Sequence, residues 1–286
     1  MKNKKILIIG GFGFLGLNLF KRLHNNYDVT LGIKKSSIKP NINLPNRIKT
    51  IFTDNDDFLA VLRNVKFDTI INCAVDYGFD NDYKKVNYLN VDFQFEIIEQ
   101  IQNTDTLYIC FDTFYTKFHN YSYLSNYINS KIEFKDKCKS IRSTKIINLQ
   151  LEHIYGSFDA PNKFISFLIK NFKIDANIDL TSCEQKRDFL HVNDLTELVE
   201  TLILKTNIKK AYHHFEVGTG KSIALKQFII EAKKIFKTKS KLNFGVKPMR
   251  ENEIMNSYAL LNRINDFCEW TPSIHYKEGI KMLFEK

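Results

Sequence analysis

A glycine-rich turn near the N-terminus constrains the fold of this chain more than any other sequence feature. It consists of Gly10-Gly11-Phe12-Gly13-Phe14-Leu15-Gly16 and lies between an apolar run and an amphipathic segment. Glycines allow a tight turn and let the backbone approach a pyrophosphate, while the start of the following helix supplies free N–H groups. The pattern predicts a strand-turn-helix unit that binds a dinucleotide through Gly10, Gly13, Phe14, Leu15 and Gly16. A glycine turn without a ligand is the alternative.

Short β-branched runs alternate with longer amphipathic segments through the first two thirds of the chain, which is typical of βαβ units and a parallel sheet. The predicted strands are Lys5 to Ile9, Val29 to Ile33, Ile48 to Phe52, Thr69 to Asn72, Leu107 to Phe111 and Lys145 to Leu149. The predicted helices are Phe14 to Leu23, Asp57 to Asn64, Lys84 to Gln102 and Tyr123 to Cys138. We therefore expect an α/β fold, a Rossmann-type doubly wound parallel sheet.

The alternation becomes less regular beyond Leu151, where loops such as Gly156 to Pro161 interrupt the helices. This change predicts a smaller C-terminal lobe that binds the substrate. The expected division is 1–150 plus about 186–214 for the dinucleotide-binding domain, and about 151–185 plus 215–286 for the smaller lobe.

Composition narrows the class of protein. The 286 residues are 44% hydrophobic, which suits a globular chain, and carry a formal charge of +10. The lysines are interleaved with acidic residues, so a solvated surface is favoured over a nucleic-acid-binding face. No apolar run is long enough for a signal peptide or a membrane span, and the five cysteines form no CxxC pair. We expect a reduced, cytoplasmic protein with no membrane or nucleic-acid partner and no metal.

The residues after the second predicted strand bear on the choice of dinucleotide. An acidic residue there would accept hydrogen bonds from the ribose 2′-hydroxyl of NAD, but this chain has Lys34 and Lys35. Their cations would pair with a 2′-phosphate, so we expect NADPH, with NADH less favoured. Solvated loop lysines are the alternative. Asp54 is expected to meet the adenine, and Cys73 and Ala74 to lie near the dinucleotide.

Tyr127 and Lys131 are four residues apart on a predicted helix and therefore share one face. An ammonium nearby would lower the pKa of the Tyr127 phenol toward neutrality, so that Tyr127 exchanges a proton with a carbonyl or alkoxide oxygen. Lys131 is also expected to hold the nicotinamide ribose. A surface pair is the alternative, but the position after the fifth strand of a nucleotide-binding fold favours catalysis.

Four later segments, together with these two motifs, resemble the extended short-chain dehydrogenases, the group of sugar-nucleotide epimerases, dehydratases and reductases. The segments are Leu151-Glu152-His153-Ile154-Tyr155-Gly156, Arg187-Asp188-Phe189-Leu190-His191-Val192-Asn193-Asp194-Leu195, Val217-Gly218-Thr219-Gly220 and Arg250-Glu251-Asn252-Glu253-Ile254. The resemblance spans essentially the whole chain and is greatest to the 4-ketoreductases of the group. It implies an oxidoreductase that reduces the C4 ketone of a CDP-, GDP- or dTDP-linked 4-keto-deoxysugar, a hexose or heptose, in surface polysaccharide synthesis.

The resemblance also implies where substrate and a second subunit bind. Arginine pairs with phosphate in two-pronged hydrogen bonds, which gives the diphosphate contacts a physical basis. The implied substrate-binding residues are His153, Lys163, Arg187 and Arg250. A homodimer is implied through the helices Lys84 to Gln102 and Tyr123 to Cys138.

Two positions depart from the family pattern. The family usually has Ser or Thr after the fifth strand, where the best register of this chain places Phe111. Thr113, two residues on, faces the same side if the strand continues, so we expect it to supply the catalytic hydroxyl, with Asp112 acting through a water as the alternative. Gln150, where related sequences often have arginine, is a second departure.

Other functions remain open. A 4,6-dehydratase of the family carries Asp-Glu after its catalytic Thr, and that base is absent beside Thr113. A 4-epimerase retains NAD, whereas Lys34 and Lys35 favour exchangeable NADPH; it is the second choice. A non-catalytic nucleotide- or RNA-binding member has no need for the proton donor Tyr127. Adjacent histidines, His213-His214, face opposite ways on an extended segment and do not indicate a metal site.

Overall fold

A computed structural model describes residues 4–40, 44–45, 48–118 and 121–284 of the chain. The chain forms two compact units, each built from separate stretches of sequence. The first unit takes the described residues of Met1–Lys117, Ser122–Gln150 and Val199–Phe215, and the second those of Phe118–Tyr121, Leu151–Leu198 and Glu216–Lys286. Residues 186–198, which the sequence placed with the dinucleotide-binding domain, fall in the second unit.

Strands and helices alternate regularly in the first unit. The described strands are β1 Lys5–Ile9, β2 Asp28–Ile33, β3 Lys49–Phe52, β4 Thr69–Asn72, β5 Leu107–Thr113, β6 Lys145–Leu151, β7 His153–Tyr155, β8 Ile178–Asp179, β9 Lys186–Arg187, β10 Phe189–His191, β11 Ala211–Val217, β12 Ile223–Ala224 and β13 Leu242–Asn243. The α-helices are α1 Phe14–Leu23, α2 Phe58–Asn64, α3 Tyr83–Asn87, α4 Phe93–Gln100, α5 Ser125–Cys138, α6 Phe164–Lys173, α7 Val192–Leu204, α8 Leu225–Phe236, α9 Asn262–Cys268 and α10 Tyr276–Phe284. A π-helical turn, Tyr88–Asp92, joins α3 to α4, and a 3-10 helix, Phe114–Lys117, follows β5. Within the described ranges, no helix is long and apolar enough to cross a membrane.

Seven strands form one sheet in the order β11-β6-β5-β4-β1-β2-β3. The β1–β2, β1–β4, β2–β3 and β4–β5 pairs are all parallel. The chain winds outward from β1 in one direction and from β4 in the other, so the order reverses between these strands. Their C-terminal ends meet where Ile9 lies opposite Asn72. In doubly wound sheets a ligand binds at this point of reversal.

The central strands are buried on both faces, which explains their nearly continuous apolar sequence. Residues Ile6 to Ile9 and Ile70 to Ile71 have almost no exposed surface. Ile97 and Phe134 from the flanking helices complete the core against Leu7, Ile70 and Tyr108 of the strands. Burial of these side chains supplies the main favourable free energy for this unit.

The sequence-based prediction of a Rossmann-type α/β sheet is confirmed, with two informative differences. β5 extends to Thr113, two residues past its predicted end, because the chain remains extended up to the 3-10 helix. The helix predicted from Lys84 to Gln102 is interrupted by the π-helical turn. A single inserted residue of this kind changes which side chains face the core, and it places Asn90 fully buried.

The second unit has its own apolar core beneath short strands. Helices α6, α8 and α10 pack around Tyr155, Leu168, Phe189, Phe228 and Ile280. Strand β10 pairs with β7, and β9 pairs with β12. This pairing is the reason that residues 186–198 belong to the second unit.

Asp188, between β9 and β10, holds three chain segments of the second unit together. Its fully buried carboxylate accepts hydrogen bonds from the Thr219 N–H and hydroxyl at 2.7 and 2.6 Å, the Gly220 N–H at 2.9 Å and the Ala259 N–H at 3.1 Å. A Cβ on Gly218 would lie 2.3 Å from this carboxylate, so glycine is required there. The acidic residue of the Arg-Asp segment is therefore structural.

We predict that Asp188→Ala lowers the free energy of unfolding by about 3 kcal/mol, because buried N–H groups lose their acceptor. Trp270, the single tryptophan, is 4% exposed in the same unit, so its fluorescence during denaturation reports the change. Asp179→Ala is the matched control, since that exposed carboxylate accepts only the Asn243 side chain among the hydrogen bonds described. Equal unfolding midpoints for the two variants would contradict the role of Asp188.

Candidate active site

The glycine turn connects β1 to α1 and is fixed by backbone hydrogen bonds. The N–H groups of Gly10 and Gly11 both donate to the Gly32 carbonyl, at 2.9 and 3.1 Å, and the Gly13 N–H donates to the Gly10 carbonyl at 2.9 Å. Gly10 has a φ of +76°, a conformation that other residues adopt only with strain. The turn is therefore tied to the end of β2 as well as to its own strand.

Two of these glycines leave no room for a side chain. A Cβ on Gly10 would lie 2.8 Å from the Ala74 nitrogen, and a Cβ on Gly16 would lie 2.3 Å from the Gly10 carbonyl oxygen. Helix α1, all of which is described, begins without a side-chain cap and without an acidic residue in its first turn. The first N–H groups of an α-helix have no intrahelical acceptor, and here those of Phe14, Leu15 and Gly16 also have no capping side chain. This cradle fits the diphosphate of a dinucleotide.

The loop after β2 is fastened to the turn after β3. The Lys35 N–H donates to both oxygens of Asp54, at 3.0 and 3.1 Å, and the Lys34 N–H donates to Ser37 Oγ at 3.1 Å. Both lysines are exposed. Asp54 thus holds the backbone of this loop, while the two ammonium groups remain in solvent at the position expected for the 2′-substituent of the ribose.

Cys73 and Ala74 follow β4, next to the glycine turn. The Cys73 N–H donates to the Ile9 carbonyl at 2.9 Å, and the Ala74 N–H donates to Asn72 Oδ1 at 3.1 Å. Burial raises the pKa of the Cys73 thiol, which keeps it neutral and unreactive. These residues therefore form a wall beside Gly10, and the structure brings all the predicted cofactor-binding residues into the first unit.

Tyr127 and Lys131 lie on one face of α5, and both are buried, at 6% and 5% exposure. The Lys131 ammonium donates to the Phe111 carbonyl oxygen at 2.8 Å and lies 5.8 Å from the centroid of the Tyr127 ring. Lys131 thus reaches across to β5, which fixes the distance between helix and strand at the site.

The expectation that Lys131 shifts the pKa of Tyr127 toward neutrality is wrong. Burial raises the pKa of Tyr127 well above its usual value, the nearby Tyr77 phenol and Asp112 carboxylate raise it further, and the nearby Thr113 side chain lowers it by less. Desolvation dominates because the phenolate would lose its hydration in this site. Tyr127 is therefore a protonated phenol at neutral pH, suited to donate a proton.

Thr113, and not Phe111, brings a hydroxyl to Tyr127. The Thr113 side chain lies close enough to the Tyr127 phenol to lower its pKa, as the extension of β5 through Thr113 allows. The Tyr115 N–H lies 3.4 Å from Thr113 Oγ1 as a further donor. The predicted trio of Tyr127, Lys131 and Thr113 is therefore assembled in one place.

Sequence reasoning missed Asn90, which secures α5 from the opposite side. Its amide nitrogen donates to the Asp76 carbonyl at 2.8 Å and to Ser130 Oγ at 3.0 Å, and its oxygen accepts the Asp76 N–H at 2.9 Å. Ser130 in turn donates to the Tyr127 carbonyl at 2.7 Å. A polar residue on the apolar face of a predicted helix was the available signal.

A second group of polar residues, whose mutual contacts the sequence did not predict, lies on three neighbouring strands. Asp112 is almost fully buried, and the His214 ring lies 3.3 Å from its carboxylate. His213, by contrast, contacts the Lys209 carbonyl at 3.1 Å. Across the described chain, no group of three or more His, Cys, Asp or Glu side chains is arranged to hold a metal ion, and all five cysteines are free.

The second unit contains all four predicted substrate-binding residues. Arg187 is buried and forms an ion pair with Glu253, and its guanidinium also donates to the Ile254 carbonyl. Burial and the Arg187 charge lower the pKa of His153 to about 3, so this histidine is neutral. The exposed Arg250 reaches Tyr121 Oη at 3.5 Å. Burial raises the pKa of Tyr121 and Glu253 raises it further, whereas Arg250 and Arg187 lower it by less.

Lys163 is placed differently from these residues, at the N-cap of α6. It lies close enough to Asp159 for its charge to lower the pKa of that carboxyl, which burial raises by more. The structure thus groups Arg187 and Arg250 around Glu253 and Tyr121, places His153 near Arg187, and sets Lys163 beside Asp159.

We predict that Gly16→Ala sharply lowers the melting temperature and the affinity for a nicotinamide dinucleotide, because the new Cβ must displace the Gly10 carbonyl. Gly13→Ala is the matched control for folding, since its Cβ would lie 3.2 Å from the same oxygen and needs only a small adjustment. Differential scanning calorimetry and calorimetric titration measure the two effects. A melting temperature for Gly16→Ala no lower than that for Gly13→Ala would contradict the close packing described.

Comparisons with known proteins agree with this architecture. The CDP-abequose synthases of Salmonella muenchen and Salmonella typhimurium are 31% and 27% identical to this chain; each match covers 98% of the chain and 97% of the relative. UDP-glucose 4-epimerase from Thermotoga maritima, solved with UDP-glucose, superimposes with a TM-score of 0.85 at 17% identity, covering 98% of this chain and 97% of that one. UDP-glucuronic acid 4-epimerase from Bacillus cereus, in complex with UDP-glucuronic acid and NAD, gives 0.83 at 18% identity and covers 98% of each chain. These identities are low enough that the solved structures bear on the fold alone. The sequence model of the NAD dependent epimerase/dehydratase family matches residues 6–218, and the chain belongs to that family.

Proposed function

We propose that this protein uses NADPH to reduce the C4 ketone of a nucleotide-diphospho-4-keto-deoxysugar, in the synthesis of a surface polysaccharide. The observation that carries the proposal is the buried phenol of Tyr127, which lies near Thr113 and has the Lys131 ammonium 5.8 Å from the centre of its ring. The similarity to CDP-abequose synthases along nearly the whole chain supports a sugar nucleotide as substrate.

Reduction of a ketone needs a proton for the oxygen as well as a hydride for the carbon. A reduced nicotinamide dinucleotide held along the turn of Gly10, Gly13 and Gly16 would supply the hydride for C4. Tyr127 gives its phenolic proton to O4, and the raised pKa of Tyr127, caused mainly by burial, ensures that the proton is present at neutral pH. The Thr113 hydroxyl orients the phenol and can hydrogen-bond the substrate oxygen.

Lys131 contributes a positive charge beside the phenol. Burial lowers the pKa of Lys131, and the negative charge of Asp112 opposes this effect and so favours the ammonium form. A cation near Tyr127 stabilises the phenolate that forms as the proton leaves. Its hydrogen bond to the Phe111 carbonyl holds it in position.

Two features favour a reductase over the related reactions. The loop after β2 carries the exposed Lys34 and Lys35. A ribose 2′-phosphate could pair with both ammonium groups, and this supports NADPH as an exchangeable cofactor. The position before Thr113 is Asp112, whose buried carboxylate is engaged by neighbouring side chains and is unavailable as a dehydratase base. A 4-epimerase with retained NAD is the second candidate.

The substrate diphosphate has candidate partners in the second unit. Arg187 and Arg250 are guanidinium groups that pair well with phosphate, and the neutral His153 can donate or accept a hydrogen bond. Glu253 already neutralises Arg187, so a diphosphate would compete with this carboxylate. We also propose a homodimer through the helices α3 to α5, where Tyr83 and Tyr88 are exposed.

We predict that the protein oxidises NADPH when supplied with a CDP-, GDP- or dTDP-linked 4-keto-deoxysugar, as followed by the absorbance of the reduced nicotinamide. Tyr127→Phe removes the proton donor without changing the ring, and is expected to lower kcat by a hundredfold or more, in line with about 10²–10⁴-fold for general acids. Tyr123→Phe, an exposed tyrosine outside α5, is the matched control.

The outcomes separate the candidate functions. Full activity of Tyr127→Phe would contradict the assigned acid. Interconversion of sugar nucleotides without net NADPH oxidation would establish an epimerase, and binding of RNA with steep salt dependence and no turnover would indicate a non-catalytic member.

We predict further that the double variant Lys34→Ala/Lys35→Ala binds NADPH about tenfold more weakly or worse, while its affinity for NADH is unchanged. Loss of charge-assisted hydrogen bonds to the 2′-phosphate is the physical reason, at about 1.5–3 kcal/mol each. Lys39→Ala, an exposed lysine of the same loop, controls for the general loss of positive charge. A parallel loss of NADH affinity would refute the assignment.

A further inference from the structure

Asp112, one residue before the end of β5, has a side chain that is only 1% exposed. A carboxylate at this depth is unfavourable unless hydrogen-bond donors surround it. The donors and their distances to the carboxylate are the Thr113 N–H at 2.7 Å, the Thr116 hydroxyl at 3.3 Å, His214 Nε2 at 3.3 Å and Gln150 Nε2 at 3.5 Å. We call Asp112, Thr116, Gln150 and His214 the carboxylate cluster.

The cluster depends on the order of strands in the sheet. Asp112, Gln150 and His214 come from β5, β6 and β11, which are neighbours. Gln150 Nε2 also donates to Thr116 Oγ1 at 2.7 Å, so the middle strand supports two members at once. The His214 side chain is 21% exposed and stacks with Tyr212 at 6.3 Å, which makes it the end of the cluster nearer to solvent.

The cluster holds the backbone of Thr113 from both sides. Asp112 Oδ1 accepts the Thr113 N–H at 2.7 Å, and the Thr116 hydroxyl donates to the Thr113 carbonyl at 2.9 Å. Fixing both peptide groups sets the direction of the Cα–Cβ bond of Thr113. The side chain in this position lies close enough to Tyr127 to lower the pKa of the phenol.

Asp112 also acts on the two ionisable groups of the site through its charge. Burial lowers the pKa of Lys131, and the negative charge of Asp112 opposes this effect. Burial raises the pKa of Tyr127, and Tyr77 and Asp112 raise it further. The ionisable side chains that interact with Asp112 are His214, Tyr212, Lys131, Tyr127 and Cys110.

We propose that Asp112, held by His214, Gln150 and Thr116, is a positioning residue of the active site: it fixes Thr113 against Tyr127 and supplies the buried negative charge that balances Lys131. The inference deepens the proposed function and rests on it for the role of Tyr127. Asp112 itself gives up no proton to the substrate and touches neither reacting atom; it acts through Thr113 and Lys131.

The first test is the pH dependence of kcat in Asp112→Asn, which keeps the shape of the side chain and removes its charge. Activity requires protonated Tyr127, so it is lost on the alkaline side as Tyr127 ionises. Removal of a negative charge lowers the pKa of Tyr127, and the alkaline limb therefore moves to lower pH by roughly one unit. An alkaline limb at the wild-type pH, in a variant with an unchanged near-ultraviolet circular dichroism spectrum, would overturn the proposal.

The adjacent histidines provide a matched pair of variants. His214→Phe keeps a ring beside Tyr212 but removes the donor, and is expected to lower kcat about tenfold with little change in KM. His214→Gln, which restores a nitrogen donor, should recover most of that loss. His213→Phe is the control, because His213 contacts only the Lys209 carbonyl among the hydrogen bonds described for it. Equal kcat values for His214→Phe and His213→Phe would contradict the positioning role.

A measurement without substrate separates this inference from the proposed function. Competitive acetylation of Lys131 as a function of pH, read by peptide mass spectrometry, gives its titration midpoint in the unliganded protein. The midpoint should fall in Asp112→Asn, and that of the half-buried Lys135 on the same helix should stay constant. If the Lys131 midpoint falls in Asp112→Asn but the wild-type protein oxidises no NADPH, the charge balance between Asp112 and Lys131 stands and only the reductase is rejected. If the wild-type protein is active and the Lys131 midpoint does not change in Asp112→Asn, the positioning role of Asp112 is rejected.

Discussion

The close approach of two backbones, at Gly10 and Ala74, is the constraint on which the dinucleotide site depends. Parallel pairing sets Ile9 opposite Asn72, so the chain leaving β1 must turn directly against the chain leaving β4. A Cβ at Gly10 would come within 2.8 Å of the Ala74 nitrogen, and only glycine satisfies both the space and the positive φ. This glycine turn also determines where α1 begins and where the free N–H groups of that helix lie.

Burial decides the chemistry of the site more than the nearest charge does. Tyr127 and Lys131 are both withdrawn from water, and desolvation pushes both toward their neutral forms: the pKa of the phenol rises and that of the amine falls. For Tyr127 this favours the role of an acid. For Lys131 it creates a need for a compensating negative charge, and Asp112 is the carboxylate that lies close enough to act on it.

Local sequence pattern was sufficient for the sheet and for the motifs that lie on single elements. The bounds of β1 and β4 match their predictions because buried parallel strands are continuous apolar runs, and the Tyr127–Lys131 spacing lies within one helix. Contacts between distant segments were not accessible in this way. The approach of His214 to Asp112 joins residues about a hundred positions apart through the order of strands, which a single sequence does not specify.

The sign of the Tyr127 pKa shift was also out of reach, because it depends on the depth of burial and not on the spacing to Lys131. The ion pair of Arg187 with Glu253 was out of reach for a different reason, because it joins segments far apart in the chain.

The most direct measurement of the central claim follows the transferred atom, with NADPH deuterated at the transferable position of the nicotinamide and a 4-keto-deoxysugar nucleotide as acceptor. The account predicts deuterium at C4 of the product in proportion to NADPH oxidised. Product formed without deuterium at C4 would contradict it.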